Sequence, residues 1–106
     1  MNISKSEIDS TTVFRLDGDL DTNTSPLAEQ AFNEAIAAGT GAMLVNLSDV
    51  GFVSSAGLRI LLSAAKQLGG QLRVCGLNET VNEVFEISGF ITIFSVFATE
   101  EEALQG

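Results

Sequence analysis

Four consecutive apolar residues, Ala42-Met43-Leu44-Val45, constrain the fold of this chain more than any other feature. A strand with one wet face alternates apolar and polar residues, so an unbroken run belongs to a central strand covered on both faces. Such cover comes from helices that cross between parallel strands, and both flanks supply one. Upstream, Ser25-Pro26 reads as an N-cap followed by Pro at the first helical position. Leu27, Ala28, Ala31, Phe32, Ala35 and Ile36 then recur at helical spacing, and Gly39 ends the pattern. Downstream, Leu58, Leu61, Leu62 and Ala65 line one face of a second helix that stops at Gly69-Gly70.

The remaining segments continue the alternation. Thr12 to Gly18 sets Phe14 and Leu16 on one face and Arg15 and Asp17 on the other, as a half-buried strand does. Ile3 to Ile8 is a weaker strand, joined to it through a turn at Asp9-Ser10. Gln71 to Cys75 is another short strand, and Ile91 to Phe97 supplies the last strand or strand-like segment. Thr80 with Glu83, and Thr99 with Glu102, have the spacing of capping boxes and open two more helices. The predicted order is β-β-α-β-α-β-α-β-α, with no linker or repeat. It describes one α/β domain over 1–106: a mixed, mostly parallel sheet, an N-terminal antiparallel pair and about four helices.

Charge and composition narrow the function. Hydrophobic residues make up 45% of the chain and charged residues 18%, which suits a packed core and argues against disorder. Five Lys and Arg face fourteen Asp and Glu, a net charge of −9. No face can carry a basic stripe, so nucleic acid and anionic membrane are poor partners, and a protein with a basic surface is a better one. The chain has no His and one Cys, which excludes an internal disulfide and a Cys-His metal site. The start carries no signal pattern, and no apolar run nears the ~18 residues that span a bilayer. A cytoplasmic protein is expected.

Chemistry concentrates at Gly51-Phe52-Val53-Ser54-Ser55-Ala56-Gly57-Leu58-Arg59, where a strand ending near Leu47 gives way to the helix of Leu58 to Leu68. Hydroxyls at a helix start cap unpaired N–H groups, and a phosphate is well accommodated there. In parallel sheets the loops after the strands gather at one edge. The loops after Gly18 and after Leu47 are therefore expected to be neighbours, bringing Asp19, Asp21 and Asp49 towards Ser54 and Ser55.

Three ordered segments resemble the STAS domain, typified by bacterial anti-sigma factor antagonists: Gly18-Asp19-Leu20-Asp21, Asn46-Leu47-Ser48-Asp49-Val50 and Ser54-Ser55-Ala56-Gly57-Leu58-Arg59. Val84-Phe85-Glu86-Ile87-Ser88-Gly89-Phe90 and Ala98 to Leu104 are similar to that family's closing pattern. The resemblance implies a phosphorylation-controlled partner switch. The unphosphorylated antagonist binds an anti-sigma factor that is also a serine kinase of the ATP-binding histidine-kinase-like fold. Phosphorylation releases it, and a metal-dependent serine phosphatase resets it. ATP and the divalent metal belong to those partners, and this chain needs no cofactor or metal of its own.

Aligned on Gly57-Leu58, the family's acceptor serine falls on Ser55, its Asp on Ser54, and a Ser or Thr on Ala56. Ser54 is thus a second hydroxyl beside the acceptor. The resemblance makes Asp19, Asp21, Asp49, Ser54, Ser55, Ala56, Gly57 and Arg59 the partner-binding set. The N–H groups of Gly57 and Leu58 are the expected recipients of the phosphate.

Plainer readings stand beside these. Asp21 is equally a turn or capping residue, Asp49 a loop-ordering one, and Arg59 a solvated helix charge. The three aspartates together have oxygen ligands for a divalent ion. Cys75 reads as core, as do Phe90, Phe94 and Phe97 unless one of the three is exposed for binding, and Glu100-Glu101-Glu102 reads as a solvated helix start favoured by the dipole. Catalysis is not expected: Phe52 to Gly57 is not a Gly-x-Ser-x-Gly elbow, no His is present to serve as base, and phosphate-binding glycine loops are missing. An alternative to the switch is a STAS subunit of a transport system or a larger signalling complex.

Overall fold

The computed structural model describes residues 1–105. Strands β1 (Asn2–Ile8) and β2 (Thr11–Asp17) form an antiparallel hairpin closed by Asp9 and Ser10, whose φ angles are 50° and 67°. Two left-handed turn residues give the loop a twist that matches its strands. There follow α1 (Ser25–Ala37), β3 (Met43–Asp49), α2 (Ser55–Gln67), β4 (Leu72–Cys75), α3 (Glu79–Ile87), a 3-10 turn (Phe90–Thr92), β5 (Ser95–Phe97) and α4 (Glu100–Gln105). The sheet order is β1-β2-β3-β4-β5, and every pair after the first is parallel.

The apolar run in β3 is explained by what lies on each face. Met43 and Val45 join Phe14, Leu16, Leu72 and Val74 beneath α1, α2 and α3. Leu44 points the other way and packs with Val13, Cys75 and Ala103 of α4. Phe14 and Phe32 meet edge to face at 5.2 Å, fixing α1 on the sheet. Burial leaves the Cys75 thiol inert, its pKa pushed up to about 11. No helix among the described residues is long and apolar enough to cross a membrane.

A six-residue helix is marginal alone, so α4 depends on its docking. Glu100 accepts from Arg15 Nε at 2.8 Å, Arg15 Nη2 at 2.7 Å and Asn46 Nδ2 at 2.6 Å. Arg73 Nη1 donates to the Ala103 carbonyl at 2.8 Å near the other end. Glu100 is thus a docking residue rather than part of a solvated acidic start. The Thr99 cap is present, its Oγ1 accepting from the Glu102 N–H at 3.2 Å.

Three local expectations are corrected. The N-cap of α1 is Thr24, so Ser25 is already helical, and its buried hydroxyl has no partner among the described residues. The N-cap of α3 is Asn78, whose Oδ1 accepts from the Val81 N–H at 2.7 Å, so Thr80 and Glu83 form no capping box. The segment Ile91 to Phe97 is a strand only from Ser95. Before it, Phe90 and Phe94 stack in sequence on the buried Phe85, with ring centroids 5.8 and 5.7 Å apart. That packing winds the chain into a 3-10 turn. Phe94 is core, whereas Phe90 and Phe97 are half-buried.

Candidate functional site

The loops after β2, β3 and β4 meet at one edge of the sheet and together build the start of α2. Gly18 N–H donates to the Asp49 carbonyl at 3.1 Å, and Leu20 N–H to that of Phe52 at 2.9 Å. Ser54 N–H returns a bond to the Leu20 carbonyl at 2.9 Å, and Leu20 and Val53 form a parallel bridge. The expected neighbouring loops are therefore joined through Leu20, which is fully buried between the exposed Asp19 and the half-buried Asp21.

Ser54 is the N-cap of α2, with extended backbone, and its Oγ accepts from the Gly57 N–H at 3.3 Å. Its carbonyl takes the Leu58 N–H at 2.9 Å. These two N–H groups are thus engaged, which corrects the expectation that they stand free for a phosphate. The next amides back along the chain, Ser55 and Ala56, have no acceptor among the described residues. Ser55 is the first residue of the helix and is exposed. An exposed hydroxyl beside unpaired N–H groups and the positive end of the dipole is well placed to carry an anion.

Gly57 is buried for a steric reason. A Cβ there would stand 2.8 Å from the Leu20 carbonyl and 2.9 Å from Leu20 Cγ, so only glycine lets α2 lie this close to the β2–α1 loop. Ala56 is half-buried, and Arg59 is exposed one helical turn after Ser55, on the same face.

The aspartates have separate environments. Asp19 Oδ1 lies 3.0 Å from where a Cβ on Gly51 would stand, so its carboxylate adjoins the α2 loop. Asp21 accepts through Oδ1 from Thr24 N–H at 3.0 Å and Asn23 N–H at 2.9 Å, closing its own turn into α1. Those two bonds, Thr24's foremost, hold its carboxyl below the usual carboxylate range. Asp49 pairs in register with Asp17 and lines a groove of about 270 Å³ with Asn2, Ser4 and Arg15. Among the described residues, no group of three His, Cys, Asp or Glu side chains is placed to hold a metal ion.

Residues 2–103 match the STAS domain. The chain belongs to the STAS domain family. A relative, BtrV of Bordetella bronchiseptica, named as a candidate anti-sigma factor antagonist, is 35% identical and covers 97% of this chain and 91% of its own. The crystal structure of an anti-sigma factor antagonist from Mycobacterium paratuberculosis is 26% identical with a TM-score of 0.91, covering 98% of this chain and 91% of that one. The anti-sigma factor antagonist SpoIIAA in its unphosphorylated form is 27% identical with a TM-score of 0.83, over 97% and 93% of the two chains. The same protein from Bacillus has a phosphorylated structure, matched at a TM-score of 0.75 and 26% identity over 98% and 97%.

Sequence reasoning missed two parts of this STAS edge. Asn78 Nδ2 donates to the carbonyls of Val50 and Gly51 at 3.2 and 3.3 Å, reaching the α2 loop from the start of α3. An Asn just before Glu79 was a usable cap signal, yet nothing in sequence spacing points to its second contact. Phe52, two residues before Ser54, is 43% exposed, a large apolar surface in the loop. Such a ring is what a partner interface tends to anchor on.

Proposed function

We propose that this chain is an anti-sigma factor antagonist whose binding is controlled by phosphorylation of Ser55. The observation that carries the reading is the state of the two adjacent serines. Ser54 is occupied as the helix cap, and Ser55 is exposed beside two N–H groups that are unpaired among the described residues. The names of the matched relatives and the phosphorylated form of SpoIIAA support it.

The unphosphorylated edge presents Phe52 and the Ser55 hydroxyl to an anti-sigma factor serine kinase of the ATP-binding histidine-kinase-like fold. A basic surface on that kinase suits a chain of net charge −9. The phosphoryl group arrives from the kinase's ATP. A phosphoserine brings about −1.5 to −2 charge. The start of α2 returns about 0.3–1 kcal/mol of this at an exposed site. Burying the dianion in an interface beside Asp19 costs several kcal/mol, so repulsion dominates and the partner leaves. A metal-dependent serine phosphatase then restores the hydroxyl, and both steps take place in the cytoplasm.

Intact-mass analysis and site mapping after incubation with the cognate kinase and ATP test the assignment. One phosphoryl group on the wild type and on Ser54→Ala, and none on Ser55→Ala, is expected. Modification of Ser55→Ala would move the acceptor to Ser54. No modification by a kinase that binds the chain would make it a constitutive docking subunit.

A further inference from the structure

Between β3 and α2, residues 50–53 have no regular structure beyond the single bridge at Val53, so their shape rests on the groups that bond them. On one side the β2–α1 loop holds them through backbone bonds of Leu20 to Phe52 and Ser54. On the other side, Asn78 is the only side chain among the described residues hydrogen-bonded to this segment. Its amide has one satisfying orientation. Oδ1 must accept the Val81 N–H to cap α3, which turns Nδ2 towards the carbonyls of Val50 and Gly51. The β4–α3 turn is itself fixed in place, because Gly76, with φ +73°, packs against Ser48 with no room for a side chain.

We infer that Asn78 is a positioning residue for the switch. It clamps the loop from the α3 side and so sets how Phe52 and Ser55 are presented to the kinase. This inference rests on the proposed role of Ser55, and it separates two duties of one amide. Capping α3 needs only an acceptor, which Asp and Ser also provide. Clamping Val50 and Gly51 needs a donor with the reach of the Asn amide. A carboxylate has no donor, and a serine hydroxyl is one bond too short.

The test compares Asn78→Asp and Asn78→Ser with the wild type, two variants that keep the cap and differ in charge. Hydrogen exchange read by mass spectrometry is expected to show amides 51–54 exchanging about tenfold faster in both, with α3 amides unchanged. Phosphorylation by the cognate kinase is expected to show an apparent KM about tenfold higher with kcat little changed. Unchanged loop exchange in either variant overturns the clamp. Faster exchange with wild-type KM overturns its role in presentation. A wild-type chain that is not phosphorylated at all overturns the Ser55 reading instead, and the exchange data still decide the clamp.

Discussion

The N–H of Ser54 bonds the carbonyl of Leu20 at 2.9 Å, although thirty-four positions separate them in sequence. This one contact joins the loop after β2 to the start of α2 and fixes the residue that caps the helix. The neighbouring Ser55 opens the helix, and its side chain makes no hydrogen bond among the described residues. On the proposed reading, modification of Ser55 leaves the fold intact.

The tightest part of that frame is Gly57. Gly57→Ala puts a methyl group 2.8 Å from the Leu20 carbonyl, where the neighbouring atom is backbone and cannot step aside. The expected cost is about 1–3 kcal/mol of overpacking, opposed by the better helix propensity of Ala. Urea denaturation should give a lower midpoint with an unchanged slope.

The two serines should separate in stability. Ser54→Ala removes the cap to Gly57 and is expected to cost about 1 kcal/mol. Ser55→Ala removes an exposed hydroxyl without an intrachain role and should stay within about 0.5 kcal/mol of wild type. Thermal unfolding of the two variants beside the parent measures the difference. Equal losses would mean that the cap and the acceptor share one duty.

Glu100 ties α4 to the opposite face of the sheet, and its carboxyl is held below the ordinary glutamate value by the bonded Arg15 guanidinium. A depressed folded pKa means that the contact contributes fully above the unfolded value near ~4.3, and that its contribution is lost as pH falls through the folded one. Protection of the Ala103 amide, which bonds the Thr99 carbonyl, measured against the intrinsic exchange rate at each pH, should therefore fall on acidification before that of Val74 in the sheet. Glu100→Gln should show the lowered protection already at neutral pH. Its cost is about 1 kcal/mol, because Arg15 keeps 39% of its side chain in water and the pair is screened.

Cys75 reports on the same helix. It is fully buried under α4 with its thiol pKa raised to about 11, so a disulfide reagent should label it only when the structure opens. Wild type is expected to react slowly, and Glu100→Gln faster in proportion to the opening of α4. A wild-type rate equal to that of the unfolded chain would contradict the packing described for this face.

Much of the sheet was legible because its signals are local. The unbroken Ala42 to Val45 run, the Asp9-Ser10 turn and the alternation in Thr12 to Gly18 each follow from a short-range pattern, and the mostly parallel pairing follows from the alternation of elements. The helix ends were less legible where tertiary contacts chose between adjacent candidates. Thr80 has the right spacing to Glu83, but Gly76 packs on Ser48 and turns the chain early, so Asn78 becomes the cap. Glu100 looked like one of three solvated acids, and only the fold brings Arg15 and Asn46 beneath it. At the candidate site the sequence located the serines and the meeting of two loops. It did not contain the bond from Asn78 or the close approach of Gly57 to Leu20, which arise from chain segments that meet only in space.

The most direct test of the switch is calorimetric titration of the cognate anti-sigma factor kinase with the chain unphosphorylated and phosphorylated on Ser55. Binding at least about hundredfold weaker after phosphorylation is expected, with unchanged circular dichroism. Equal affinity of the two forms would contradict the proposed control by charge at the start of α2.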